Sequence, residues 1–305
     1  MSKIWRVLVI ENPCSIVARN RQLEIESRDA RRVVPGEDVA LLIIDSPGVM
    51  LSSGALELMA NCGGGVVICD RRHLPVATGL PIAASNVATK VIAAQAGCTP
   101  ERKAELRQAI IQAKLRGSSR TLVVAGAPAQ CGDRILGMAA AVERGDKMNV
   151  EAQAARVYWP GLFDADFRRG NDDDVRNHAL NYGYAIVRSA IAKGIVASGM
   201  HPSLGLFHHN QYDGYCLADD LMEPWRHGVD AMVFWRWSRL PWREVDREVR
   251  HYLMTITSSV WMVDRHAMPF IRAIDTYCSR IRDMICDSTK KIGGIDIDVE
   301  LEGTK

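Results

Sequence analysis

The sequence predicts an α+β fold: a small β-rich N-terminal domain over residues 1–85, then a larger all-α domain over 86–292, and a tail at 293–305. Short apolar runs rich in β-branched residues, punctuated by turn dipeptides, fill the first part. From about Ser85 the apolar pattern takes the helical period and the segments lengthen. Near the end, Ile295–Leu301 (IDIDVEL) alternates apolar and acidic residues, which is a strand pattern.

Trp5–Ile10 (WRVLVI), Val39–Asp45 (VALLIID) and Gly65–Asp70 (GVVICD) read as buried strands, and Gln22–Ser27 (QLEIES) as an alternating one. Pro35-Gly36, Pro47-Gly48 and Gly63-Gly64-Gly65 supply the turns between them. Gly54–Asn61 fits one short helix, and beyond Pro75 the strand pattern fades. Thr99-Pro100-Glu101 is a helix start, with Thr as N-cap and Pro in the first turn. The helix Pro100–Gly117 carries Arg102, Lys103, Arg107, Lys114 and Arg116, which suit a solvated face and a phosphate-contacting face equally. Leu122–Ala125 fits either element type. Further helices are expected over Asp146–Val157, Asp174–Met200, Ala218–Val229, Trp242–Val263 and Pro269–Lys291. The strand pattern in the tail has no obvious partner. It reads as an edge strand or frayed end, or as a strand offered to another subunit.

The balance of 48% hydrophobic and 24% charged residues is that of a folded globular protein, which excludes wholesale disorder. The formal charge of +2 neither supports nor excludes a nucleic-acid partner, because the distribution decides that. None of the eight cysteines forms a CxxC pair, which argues against a zinc ribbon or a thioredoxin-like site. With no signal peptide at the N-terminus and no apolar stretch long enough to span a bilayer, the expected location is a reducing cytoplasm, with free thiols and no membrane.

Three places combine metal-binding residue types. Glu151 is followed by small residues that permit close packing, which suits a surface glutamate or a ligand aimed inward. Gly205-Leu206-Phe207-His208-His209 holds adjacent histidines, of which a regular element can aim only one at a given point. Asp220 and Glu223 stand at i, i+3 on one helix face, and Pro224 should bend or end that turn. One imidazole with two or three carboxylates favours Mg²⁺ or Mn²⁺, and such a site suits phosphodiester chemistry.

At this point the sequence resembles the integrase subunit of CRISPR spacer acquisition, the Cas-one family, in its type II branch. The likeness runs nearly end to end. It is carried by Trp5–Ile10 with Asn20–Leu23, by Val67–Pro75, by Glu151–Tyr158 (EAQAARVY), by Asn181–Tyr184 (NYGY), by Gly205–His208 (GLFH) and by Asp220–Arg226 (DLMEPWR). The branch usually has glycine after the glutamate, where this chain has Ala152.

Carried over, the resemblance makes Glu151, His208 and Glu223 ligands of Mg²⁺ or Mn²⁺, with Asp220 a further catalytic acid in or beside the shell. It implies a metal-dependent DNA endonuclease and integrase that joins 3′-OH ends of a short duplex to the CRISPR repeat by transesterification. It implies a homodimer through the N-terminal domain, and a heterohexamer with the small Cas-two protein on double-stranded protospacer and repeat DNA. The type II effector nuclease is a further candidate partner. Arg156, Arg168, Arg169 and Arg188, with Arg236, Arg239 and Arg243, are candidate phosphate contacts. Tyr158, Trp159, Tyr182 and Tyr184 are candidate stacking groups for DNA ends. Phe234–Trp237 reads better as a packed junction between helices. Two other functions compete: a stand-alone nuclease for branched DNA, and a non-catalytic DNA-binding assembly subunit.

Overall fold

The structure is a computed structural model that describes residues 6–82 and 85–300. Its first strands are β1 (Arg6–Ile10), β2 (Cys14–Arg19), β3 (Gln22–Glu26), β4 (Arg31–Pro35), β5 (Val39–Ile44) and β6 (Val49–Leu51). Helix α1 (Ser53–Asn61), β7 (Gly65–Cys69) and β8 (Pro75–Gly79) complete the N-terminal region. The strands form two four-stranded sheets, in the orders β1-β5-β7-β8 and β4-β3-β2-β6. In the first sheet β1, β5 and β7 run parallel and β8 is antiparallel.

All six residues of β5 are buried, as an apolar run in the middle of a sheet covered on both faces requires. Val39, Leu42 and Ile44 face a small core with Ile16, Leu23 and Met59. Ala40, Leu41 and Ile43 belong to the main core of the molecule. One strand therefore ties the sheets to the helical body. The expected start of the first strand at Trp5 lies outside the described residues.

The helical body begins with α2 (Ala88–Ala96), α3 (Pro100–Val124), α4 (Ala129–Ala141), α5 (Val150–Leu162) and α6 (Val175–Ala197). There follow α7 (Cys216–Met222), α8 (Arg226–Arg239) and α9 (Arg247–Met254). Thr99 accepts from Arg102 N to cap α3, as the sequence predicts, and the helix runs on through the ambiguous Leu122–Val124. Helix α6 is buried over most of its length and threads the main core, the burial pattern of a helix apolar nearly all round.

The expectation of an all-α second domain is corrected. Residues 242–263 do not form one helix. Asp246 caps α9, which ends at Met254, and a 3₁₀ turn leads into β9 (Val260–Val263) and β10 (His266–Pro269). Asp264 and Arg265 both take positive φ, which closes a tight hairpin and brings the β-branched and aromatic VWMV run into a ladder. After α10 (Phe270–Cys286), β11 (Ile297–Glu300) pairs antiparallel with β9. The tail strand thus has a partner within its own chain, and Leu301 lies outside the described residues.

Three arginines of α3 hold this C-terminal part. Arg102 donates to the carbonyls of Met284, Asp287 and Lys290, Arg116 donates to Ile295 O, and Arg120 pairs with Asp296 and Asp298. Arg102 and Arg116 are accordingly half-buried and engaged by backbone carbonyls. The loop after α10 is fixed by helix α3.

Candidate functional site

Glu151 stands in the first turn of α5. Asn149 before it takes a left-handed conformation, φ 52°, and offers no side-chain cap. Asp146 caps the helix instead, accepting from Val150 N at 2.8 Å and Glu151 N at 3.2 Å. The Glu151 carboxylate is thereby directed toward α3, where Lys114 Nζ lies 2.5 Å from its Oε1.

Glu223 lies in a 3₁₀ turn, Glu223–Trp225, between α7 and α8, with Pro224 setting the tight turn without breaking the path into α8. Its side chain is 4% exposed. Oε1 accepts from Arg226 Nε at 3.1 Å and pairs with Nη2 at 3.0 Å. Oε2 lies 2.6 Å from the same Lys114 ammonium, in an ion pair without hydrogen-bond alignment. Burial works against the Glu223 charge, but Arg226 and Lys114 outweigh it and hold the carboxyl well below the usual range.

His208 is placed by Asp220. The fully buried Asp220 carboxylate accepts from the backbone N–H groups of Leu206 (2.5 Å), Phe207 and His208 (both 3.1 Å). Its Oδ1 also lies 2.6 Å from His208 Nδ1. Nδ1 is thus the protonated nitrogen, and Nε2 keeps a free lone pair on a half-exposed ring. The bond to Asp220 pushes the His208 pKa up, against burial, and Glu223 adds to the shift. Gly205 is required here: a Cβ on it would meet His208 O at 2.2 Å. Asp220 and Glu223, expected to project together, do different jobs. Asp220 holds the histidine loop and offers no oxygen to the cavity beside Glu223.

That cavity measures about 200 Å³ and is lined by Lys114, Glu151, Glu223, Arg226, Tyr184 and Arg169 among others. Its floor is a polar network. Tyr158 donates to Asp230 at 2.7 Å, Tyr184 donates to the other Asp230 oxygen, and Arg226 lies over the Tyr184 ring, 4.6 Å from its centroid. Burial pushes the Asp230 carboxyl up, while the two hydroxyls and Arg226 pull it back. Tyr158 and Tyr184 are 5% and 6% exposed. Both are packed, with their hydroxyls held by Asp230, which leaves their rings little exposed surface for stacking. Tyr182 is equally buried, and Trp159 packs against Phe163 and Phe167.

Among the arginines, Arg169 reaches the cavity but is tied to Asn177 and Asn181, and Arg188 faces Asp219 and Tyr215. Arg168 is exposed and donates to carbonyls of its own loop, and Arg156 is exposed on α5. Arg236 lies over Trp242, Arg239 lies over Trp235, and Trp237 packs edge-on against Trp242, so the aromatic cluster is a packed junction.

Two carboxylates and an imidazole are a donor set for Mg²⁺ or Mn²⁺. Among the described residues, no three His, Cys, Asp or Glu side chains are yet drawn together closely enough to grip an ion. Glu151 and Glu223 do converge on one cation, the Lys114 ammonium, while His208 is not among the residues that line their cavity. The residues therefore fit a small cation in chemistry, and the Lys114 ammonium lies between the two carboxylates.

A family model described as "CRISPR associated protein Cas1" matches residues 7–259. The chain is 31% identical over 289 residues to the CRISPR-associated endonuclease Cas1 of Neisseria meningitidis, covering 94% of both chains. Its fold is similar to that of a casposase bound to an integration product, with a TM-score of 0.74 at 19% identity, covering 94% of this chain and 92% of that one. It is also similar to part of a Cas6-RT-Cas1–Cas2 complex, with a TM-score of 0.71 at 16% identity, covering 93% of this chain and 35% of that one.

Proposed function

The chain belongs to the Cas1 family, and on that premise we propose that it is a divalent-metal-dependent DNA nuclease and integrase of CRISPR adaptation. In this reading it joins the 3′-OH ends of a short duplex to the repeat. The observation that carries the reading is the convergence of Glu151 and Glu223 on one cation; His208, with its Nδ1 already engaged by Asp220, would supply the third ligand.

Bound Mg²⁺ or Mn²⁺ would polarise the scissile phosphate and favour the ionised form of the attacking hydroxyl. Glu151, Glu223 and His208 Nε2 would hold it. Asp220 keeps Nδ1 protonated and the ring aimed. Arg226 keeps Glu223 ionised and presents a second positive group to the cavity. In the joining step, the 3′-oxygen bonds to a repeat phosphorus and loses its proton, and one repeat strand departs on its own oxygen, which takes up a proton. One phosphodiester bond forms as one breaks, so no external energy source is needed.

The proposed assembly is a homodimer bound to a Cas2-type partner, on protospacer and repeat DNA. A relative solved as a Cas1–Cas2 complex supports the partner. Val33, Met50, Leu56, Ile68 and Val76 are exposed apolar side chains of the N-terminal region, where the dimer interface is proposed.

The test mixes the purified chain and its small partner with a 3′-OH duplex and a repeat-bearing plasmid, and scores joined product on a gel. Glu151→Ala, His208→Ala and Glu223→Ala are each expected to lose at least ~100-fold of joining, because the metal supplies several kcal/mol. Chelation should abolish joining and Mn²⁺ should restore it. Full activity in His208→Ala would sink the site assignment.

A further inference from the structure

We propose that Lys114 is a built-in counter-cation that occupies the space between Glu151 and Glu223 and must be displaced when a divalent ion loads. The inference rests on the metal-site reading above and adds a residue to it. Lys114 Nζ lies 2.5 Å from Glu151 and 2.6 Å from Glu223, on a helix that carries neither. An ammonium and a divalent ion cannot share that space, so the two compete for the same pair of carboxylates.

A lysine might instead be a structural brace that keeps the carboxylates in place. The geometry argues against that. Glu223 has its own holder, since Arg226 engages Oε1 through two nitrogens. Glu151 sits on a helix whose first N–H groups are capped by Asp146. Glu223 therefore does not rely on Lys114 for its position; the Glu151 carboxylate meets the ammonium directly, and what Lys114 supplies to both is neutralisation. Lysine suits a removable plug. It meets a carboxylate as a point charge on a flexible four-carbon stem, whereas arginine would lock on as a rigid fork. The cavity of about 200 Å³ beside the ammonium gives it somewhere to go.

Displacement has a measurable signature, because a ligand's apparent affinity falls by the fraction of molecules whose site is ready for it. The experiment measures binding of Mn²⁺ alone to the full-length chain, without DNA, by the loss of the free Mn²⁺ resonance signal. The proteins are wild type, Lys114→Met, Lys114→Arg and Glu223→Gln, each first shown by thermal melting to be folded. Lys114→Met is expected to bind Mn²⁺ about tenfold more tightly than wild type or better, and Lys114→Arg more weakly. Binding by Lys114→Met where wild type shows none supports the proposal in its strongest form.

Wild-type binding that Glu223→Gln loses, with Lys114→Met equal to or weaker than wild type, overturns the proposal and leaves the metal site standing. Should Lys114→Met fail to fold, Lys114→Arg decides alone, and binding equal to or tighter than wild type overturns the proposal. No binding by any variant overturns the metal reading and the proposal together.

Discussion

At the scale of single residues, Asp220 and His208 act as a unit. Four hydrogen-bonding groups converge on one carboxylate, and three of them are backbone N–H groups of the loop that carries the histidine. A metal takes the neutral imidazole, and the Asp220 bond raises the His208 pKa above the ordinary value near 6.5. Protonated His208 therefore competes with metal, and Mn²⁺ affinity should rise as pH climbs through and above that value. In Asp220→Asn the rise should move to lower pH, while affinity at high pH falls about 10- to 100-fold as the ring loses its holder. Mn²⁺ titration from pH 5.5 to 8.5 checks both, and an unmoved profile would remove Asp220 from this role.

The sequence named Glu151, His208, Asp220 and Glu223, but their grouping came from the resemblance and not from spacing. Lys114 and Asp230 were not legible as site residues. A lysine among arginines on a helix has the pattern of a solvated face, and only tertiary packing turns it toward two acids. Asp230 lies in α8 behind Arg226, and its two tyrosine partners are 72 and 46 residues away.

At the scale of elements, the helices cross at small residues. Gly183 on α6 lies against Val229 on α8, where an added Cβ would come within 2.5 Å of a Val229 methyl. Gly183→Ala should therefore destabilise the fold by ~1–3 kcal/mol through overpacking, and a lowered urea midpoint at unchanged slope would show it. Long buried helices were the most legible elements. Helix α6 was expected over 174–200 and runs from Val175 to Ala197, because Asp174 caps it and Gly199 at φ 84° ends it. The strands that the sequence hid are the half-exposed ones. Ile16 alone is buried in β2, no residue of β4 is buried, and β8 is an edge strand. Without a clean alternation, such runs lack a period to detect. Strand β9 was read as the end of a helix, and the turn after it went unseen because it is Asp-Arg, not a glycine turn.

At the scale of the whole molecule, distant parts of the chain close the body. Buried Asp45 at the end of β5 contacts His73 and lies near Arg250 of α9, and Glu11 meets Arg247 and His251. In the C-terminal part, Ile295 and Ile297 are 1% exposed, and β11 lies beside α3 through Arg120. A chain stopped after Gly294 should lose about 3–6 kcal/mol, from two buried isoleucines at about 1.5–3 kcal/mol each. That is a large share of a typical domain's stability. Urea unfolding would measure it, and an unchanged midpoint would show the strand to be dispensable.

The clamp of α3 by the final strand also sets an order in time. A ribosome has already released Glu151, His208 and Glu223 long before it reaches Ile295. Until those last residues emerge, the helix carrying Lys114 lacks the contacts of Arg116 and Arg120. A nascent or prematurely ended chain would thus hold every candidate ligand on an unsecured frame. On the proposed reading of a nuclease and integrase, securing that frame only after the ligands have emerged would keep chains that stop short of Ile295 harmless.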